Sequence, residues 1–103
     1  MSETVRGPLT KALLLLARAS ARAEDTGRAA DCAQYLSAVG RITRYLEWLA
    51  EGRADSALLW SVSDSVERLA DSAARWDREE LDLLDRASDE LMRAAAAAER
   101  GGL

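Results

Sequence analysis

The 103-residue chain has no histidine, no phenylalanine, one cysteine and one proline. Without histidine it lacks the usual acid–base group of neutral pH and the commonest metal ligand. A Ser–His nucleophile and the inward Glu-x-x-His pairs of di-iron bundles are excluded with it. One cysteine permits neither an internal disulfide nor a Cys-based zinc site. The few glycines form no phosphate-binding loop. No run approaches the roughly 20 apolar residues of a membrane span. Ala12 to Ala17 is an apolar run and Ala21-Arg22-Ala23 has the small-x-small form of a cleavage site. Arg18 ends that run, which is shorter than the roughly 7–15 residues of a signal core. The expectation is a cytoplasmic protein with no cofactor, no metal and no membrane association.

Charge narrows the partners. Fourteen basic and 18 acidic residues leave a net charge of −4. That disfavours nonspecific nucleic-acid binding, which needs a clustered positive surface, and it is too mild for a DNA mimic. Hydrophobic residues make up 49% of the chain, but many are alanine, which buries little area at about 25 cal/mol per Å². Either the helices approach closely or a second subunit supplies the missing burial. The second is the expectation.

The pattern that is present is helical. Cys32, Tyr35, Val39, Ile42, Leu46 and Leu49 recur at steps of three and four, as do Leu59, Val62, Val66, Leu69, Ala73 and Trp76. Each set is one apolar stripe. The short connection from Gly52 to Asp55 makes the two helices antiparallel neighbours. The fold class is therefore all-α, an antiparallel bundle in one domain, with helices expected over 9–23, 28–51, 56–76 and 78–100.

The boundaries are set by punctuation. Residues 1–7 are polar and expected to be flexible. Pro8 suits a first helical turn. Leu9, Leu13 and Leu16 form the inner face of the first helix. Leucines 13–16 span most of its circumference, so Leu14 or Leu15 must point away from a single core. The accounts are a helix wedged between two others and a second apolar face for oligomerisation. Asp25 or Thr26 can cap the second helix. Gly40 lies inside it, a position explained by close approach of a neighbouring helix. Gly52 suits its C-terminal cap, and Asp55 or Ser56 caps the third helix. Asp77-Arg78-Glu79-Glu80 reads as a capping box opening a fourth helix. The competing reading is one continuous helix of about 45 residues, roughly 67 Å long, which would place Glu80 on the inner stripe. The helix ends at Gly101-Gly102, with 101–103 as a flexible tail.

Arginines at 68 and 75, and at 86, 93 and 100, are aligned by sevenfold spacing. Asp64, Asp71, Asp82 and Asp89 each precede one of them by four residues, the favourable orientation for helical ion pairs. The stripe therefore reads as a self-neutralised solvated face. Tyr45, Trp48 and Trp60 fall near one turn. They either wrap the end of the core or form an aromatic anchor for a partner. Cys32 occupies a core position and reads as a small buried thiol.

Two resemblances attach to short stretches. Gly52-Arg53-Ala54-Asp55-Ser56-Ala57-Leu58 is similar to the Gly-x-x-Asp-Ser-Leu site of acyl carrier proteins, which would imply a phosphopantetheine arm on Ser56. Ala57 stands where leucine is expected, and the downstream loop pattern is missing. In length and acidity the chain is also similar to the helical hairpins of type VII secretion substrates. Their Trp-x-Gly tripeptide is absent, because Trp48 and Gly52 are four apart. Neither family is assigned.

The expected function is a non-catalytic protein–protein interaction or assembly module: a homodimer, or a subunit binding a protein partner, and no nucleic acid. The partner-binding candidates are Leu14, Leu15, Tyr45, Trp48 and Trp60. The alternative is a small-molecule ligand in an apolar pocket lined by Tyr35, Tyr45 and the tryptophans.

Overall fold

The computed structural model describes residues 3–53 and 55–101. They form four helices: α1 (Glu3–Asp25), α2 (Ala29–Ala50), α3 (Ser56–Ala73) and α4 (Arg78–Gly101). Each helix lies against two neighbours, in the cyclic order α1, α2, α3, α4 and back to α1, an up-and-down bundle closed by short turns. The molecule measures 40 × 19 × 18 Å, and its long axis is that of the 24-residue α4 at about 1.5 Å per residue. Helices 3 and 4 are separate, so the single long helix is excluded.

Alanine shapes the packing. α1 and α4 approach most extensively. Ala12, Ala19 and Ala23 of α1 and Ala87, Ala94 and Ala98 of α4 are all buried. Small side chains let backbones come close, so α1 and α4 take the close-approach remedy within the chain. The longest apolar side chains, among them Leu9, Leu16, Ile42, Leu59, Leu84 and Leu91, fill the centre. α2 and α3 approach least.

Several boundaries differ from expectation. α1 begins at Glu3, so residues 3–7 are helical. Val5, 1% exposed, extends the stripe Val5-Leu9-Ala12-Leu16-Ala19-Ala23 by one turn, and its burial offsets the N–H that Pro8 cannot supply inside the helix. The remainder of the expected flexible ends, residues 1–2 and 102–103, lies outside the described residues. Gly101 closes α4.

The first two turns end in the same way. Gly27 (φ 77°) and Gly52 (φ 75°) take the left-handed conformation that suits glycine. Arg28 N–H bonds the Ala23 carbonyl at 2.8 Å and Gly27 N–H bonds Glu24 at 3.0 Å; Arg53 and Gly52 repeat the pair on Trp48 and Leu49 at 2.7 and 3.1 Å. These are Schellman closures. Asp25 and Thr26 do not cap α2. Asp25 belongs to α1, the Thr26 hydroxyl bonds back to the Arg22 and Ala23 carbonyls, and Arg28 occupies the N-cap position of α2 without a side-chain cap bond. Asp55 does cap α3, accepting from Ala57 N–H at 2.9 Å.

The third turn has no glycine. α3 stops at Ala73, three residues early, and Trp76 lies in the turn at 64% exposure rather than on the inner stripe. Asp77 Oδ1 accepts from the N–H groups of Glu79 (2.9 Å) and Glu80 (3.4 Å), half of the expected capping box. Glu80 does not reach back. It turns into the core.

Candidate interaction surfaces and a buried polar cluster

Glu80 is 0% exposed. It lies four residues before Leu84 on the buried stripe of α4, which carries its side chain inward although α3 and α4 are separate helices. Both carboxylate oxygens are engaged. Oε1 accepts from Arg28 Nη2, while Oε2 accepts from Arg28 Nη1 at 3.1 Å and from the Tyr35 hydroxyl. Arg28 Nη1 also bonds Asp31 at 2.9 Å, and its guanidinium lies 5.8 Å from the centre of the Trp76 ring, a cation–π distance. The Glu80 carboxylate holds the Arg28 guanidinium above its ordinary pKa. Burial first, and then Glu80, pushes the Tyr35 phenol up.

Beside this cluster Asp77 Oδ2 accepts from Arg22 Nε (2.8 Å) and Nη2 (2.6 Å), and Arg22 Nη1 reaches Glu79 at 2.6 Å. The Arg22 hydrogen bond is the main cause holding the Asp77 carboxyl below its ordinary range. The two clusters tie the α1–α2 turn to the start of α4, across the mouth of the bundle. Their donors and acceptors are spent on each other, so the arrangement works as a clasp. Among the described residues, no three His, Cys, Asp or Glu side chains gather as a metal site.

Cys32 is buried, 2.8 Å from the Ser20 hydroxyl. Tyr45 is 0% exposed, and its hydroxyl is buried with no hydrogen-bond partner among the described residues. Burial, then Asp55, pushes this phenol up. Tyr35 and Tyr45, both expected at the lining of a ligand pocket, are thus packed inside the core.

The expected partner residues divide. Leu15 (7% exposed) and Tyr45 belong to the core, which corrects their place as surface contacts. Leu15 is buried because the α1–α4 seam covers the flank of the main stripe. Tyr45 takes the inward position expected of Leu46, which is only partly buried. Trp48 is half-buried, with the Arg53 guanidinium 5.6 Å from its ring centre. Trp60 is exposed and donates through Nε1 to Glu99 of α4, whereas Trp48 lines a hollow with Leu58 between α2 and α3. Leu14 stands out at 62% exposure.

Two surfaces result. Leu14 and the edge of Leu15 line a groove of about 520 Å³ between α1 and α4, with Lys11, Arg18, Arg86 and Arg93 around them and Asp89 and Glu90 on the α4 side. The second lies between α2 and α3 and is lined by arginines from both helices. The expected aspartate–arginine ladder is only partly formed. Asp82–Arg86 is made at 3.7 Å, and Arg93 pairs with Glu90. Arg68 and Arg75 have no carboxylate within 4.0 Å among the described residues. Gly40 is exposed, and a Cβ built there would meet nothing within 4 Å, so no helix of this chain explains it.

Leu36 and Trp76 are exposed; the sequence does not single out Leu36, and it places Trp76 on an inner stripe. Leu36 lies between two stripe positions, where spacing gives no warning, and the spacing of Trp76 from Ala73 draws it into the α3 stripe. The Glu80 cluster is partly visible, since Glu80, Leu84, Ala87 and Leu91 keep steps of four, three and four.

The fold defines an all-α four-helix bundle, and among the described residues no helix is long and apolar enough to cross a membrane. Compared with known proteins, the chain matches no family model, no curated protein and no solved structure.

Proposed function

We propose that the chain is a non-catalytic protein–protein interaction or assembly module that associates with a second copy through the α1–α4 face. The observation that carries this reading is Leu14, 62% exposed at the centre of a groove bearing both signs of charge. A two-fold contact places the same patch on both sides. Lys11 or Arg18 of one copy then faces Asp89 of the other while the two Leu14 side chains bury each other. A mixed-sign rim around an apolar centre suits such a self-complementary contact.

Light scattering after size exclusion, over a hundredfold concentration range, tests it. The chain is 11.2 kDa. The expected result is a mass rising to twice that value, with Leu14→Asp holding the protein at the single-chain mass and leaving its far-ultraviolet circular dichroism unchanged. A single-chain mass for the unaltered protein at every concentration overturns the reading.

A further inference from the structure

The seam between α2 and α3 differs from the α1–α4 groove in both packing and charge. It is the least closely packed of the four helix contacts. Two adjoining hollows of about 340 and 430 Å³, which share Ser37 and Arg41, run along it. Arg41, Arg44 and Arg68 line them, and among the described residues no carboxylate does. Arg41 is held by hydrogen bonds to the hydroxyls of Ser61 (2.7 Å) and Ser65 (3.2 Å) across the seam. Arg44 and Arg68 have no ion-pair partner within 4.0 Å among the described residues. Three positive charges therefore stand together in a chain whose net charge is −4.

The floor of the seam is apolar. Trp48 and Leu58 line one hollow and Leu69 the other. Gly40 lies along the same edge, open above its Cα. A glycine in a helix interior weakens the helix, and here no contact among the described residues requires one. It does leave room for another backbone to come close. On α2 the lining runs from Gln34 to Trp48, which at 1.5 Å per residue is about 21 Å, the length of roughly four helical turns.

From this geometry we infer that the α2–α3 seam docks an acidic amphipathic helix of a partner protein. The apolar stripe of that helix lies on the floor between Trp48 and Leu69. Its backbone passes over Gly40, and carboxylates on its two flanks meet Arg44 on the α2 side and Arg68 on the α3 side, with Arg41 reaching across the seam between them. This is helix-in-groove recognition. A second copy is disfavoured, because an all-cationic seam facing itself would repel. Phosphate groups of a nucleic acid would leave the apolar floor uncovered. The inference rests on the reading of the chain as an interaction module. It uses the face opposite α1–α4, so either can fail alone.

The probe is a fluorescein-labelled helical peptide of three heptads, with leucine at the first and fourth position of each, glutamate on both flanks and alanine on the outer face. A second peptide carries lysine in place of glutamate. Anisotropy titrations should show saturable binding of the acidic peptide, weakened by added salt, and none of the lysine peptide. Arg44→Glu with Arg68→Glu should weaken binding at least about tenfold. Gly40→Gln should do so too by filling the approach, and it adds helix propensity rather than removing it. Leu14→Asp should leave the peptide affinity unchanged. Circular dichroism checks that each variant is folded.

The inference is overturned by any of four results: no saturable binding of the acidic peptide; equal binding of both peptides; affinity indifferent to the seam variants; or displacement of the peptide by a single-stranded oligonucleotide. Loss of the chain's own dimer in Arg44→Glu/Arg68→Glu would assign the seam to a second copy and overturn it as well.

Discussion

Replacing Arg28 by methionine keeps most of the volume of its aliphatic stem and removes its charge. Glu80, 0% exposed, then retains only the Tyr35 hydroxyl and loses the paired guanidinium donors on both of its oxygens. Breaking a buried ion pair from one side costs about 3–5 kcal/mol, because a charge is left in a site that water does not reach. The cation–π contact with Trp76 and the bond to Asp31 go with it; both lie nearer the surface and add little. Small domains are stable by about 5–15 kcal/mol, so this one change removes a large share of the total. At roughly 4 °C or more per kcal/mol for a domain of this size, the melting temperature should fall by at least about 12 °C. Urea unfolding followed by circular dichroism gives the free energy directly. The discriminating variant is the triple replacement Arg28→Met, Glu80→Leu and Tyr35→Phe, which removes the charge of Glu80 together with the guanidinium and the hydroxyl that bond it. It should recover most of the loss, since replacing a whole buried ion cluster by apolar groups is often neutral or stabilising. A single variant within about 1 kcal/mol of the unaltered protein, or a triple variant as unstable as the single, refutes the reasoning.

Other outcomes rest on named contacts. Asp77 titrates below its ordinary 3.8 in the folded chain because of Arg22. The stability it contributes is therefore fully present above the unfolded value and is lost as pH falls through the folded one. Asp77→Asn should flatten the stability–pH curve below about pH 4, measured by urea midpoints at a series of pH values; an unchanged slope refutes this. Tyr45→Phe removes a buried hydroxyl that has no partner among the described residues and should raise stability by about 1 kcal/mol, whereas a loss of that size in thermal unfolding would show that the hydroxyl is satisfied. Gly52→Ala, at φ 75°, should destabilise by about 1 kcal/mol. Gly40→Ala, in an open helical position, should stabilise by a similar amount, so the two glycine variants should move the melting temperature in opposite directions.

The helix stripes were legible because core positions repeat at steps of three and four, and α4 follows its expected stripe of Leu84, Ala87 and Leu91 throughout. Gly52 and Asp55 were legible because a left-handed closure and a cap each demand particular side chains. Three features were not. The start of α1 was hidden by Pro8, which reads as a helix opening although one buried valine before it extends the helix. Tyr45 and Leu46 are adjacent, and periodicity alone does not choose between neighbours; the rotation of α2 in the bundle decides, and it turns the tyrosine inward. The partners of Glu80 come from α2 and the turn before it, 45 and 52 residues away along the chain. No local spacing encodes a contact of that range. For the surfaces, the sequence marked the leucine run but not which leucine faces out, and it placed Arg68 in a sevenfold stripe with no sign that Arg41 and Arg44, on another helix, line the same seam.

The clasp at the mouth of the bundle also bears on the order of folding. The hairpins α1–α2 and α3–α4 are closed by turns of a few residues and can form early, at low entropic cost. Arg28–Glu80 and Arg22–Asp77 join residues 52 and 55 positions apart, and their geometry exists only once the hairpins have docked. Contacts that form after the transition state leave the folding rate unchanged when removed and appear in the unfolding rate instead. In a denaturant chevron, Arg28→Met should therefore shift the unfolding arm while the folding arm stays in place. The clasp then governs how long the folded chain persists rather than how quickly it is reached.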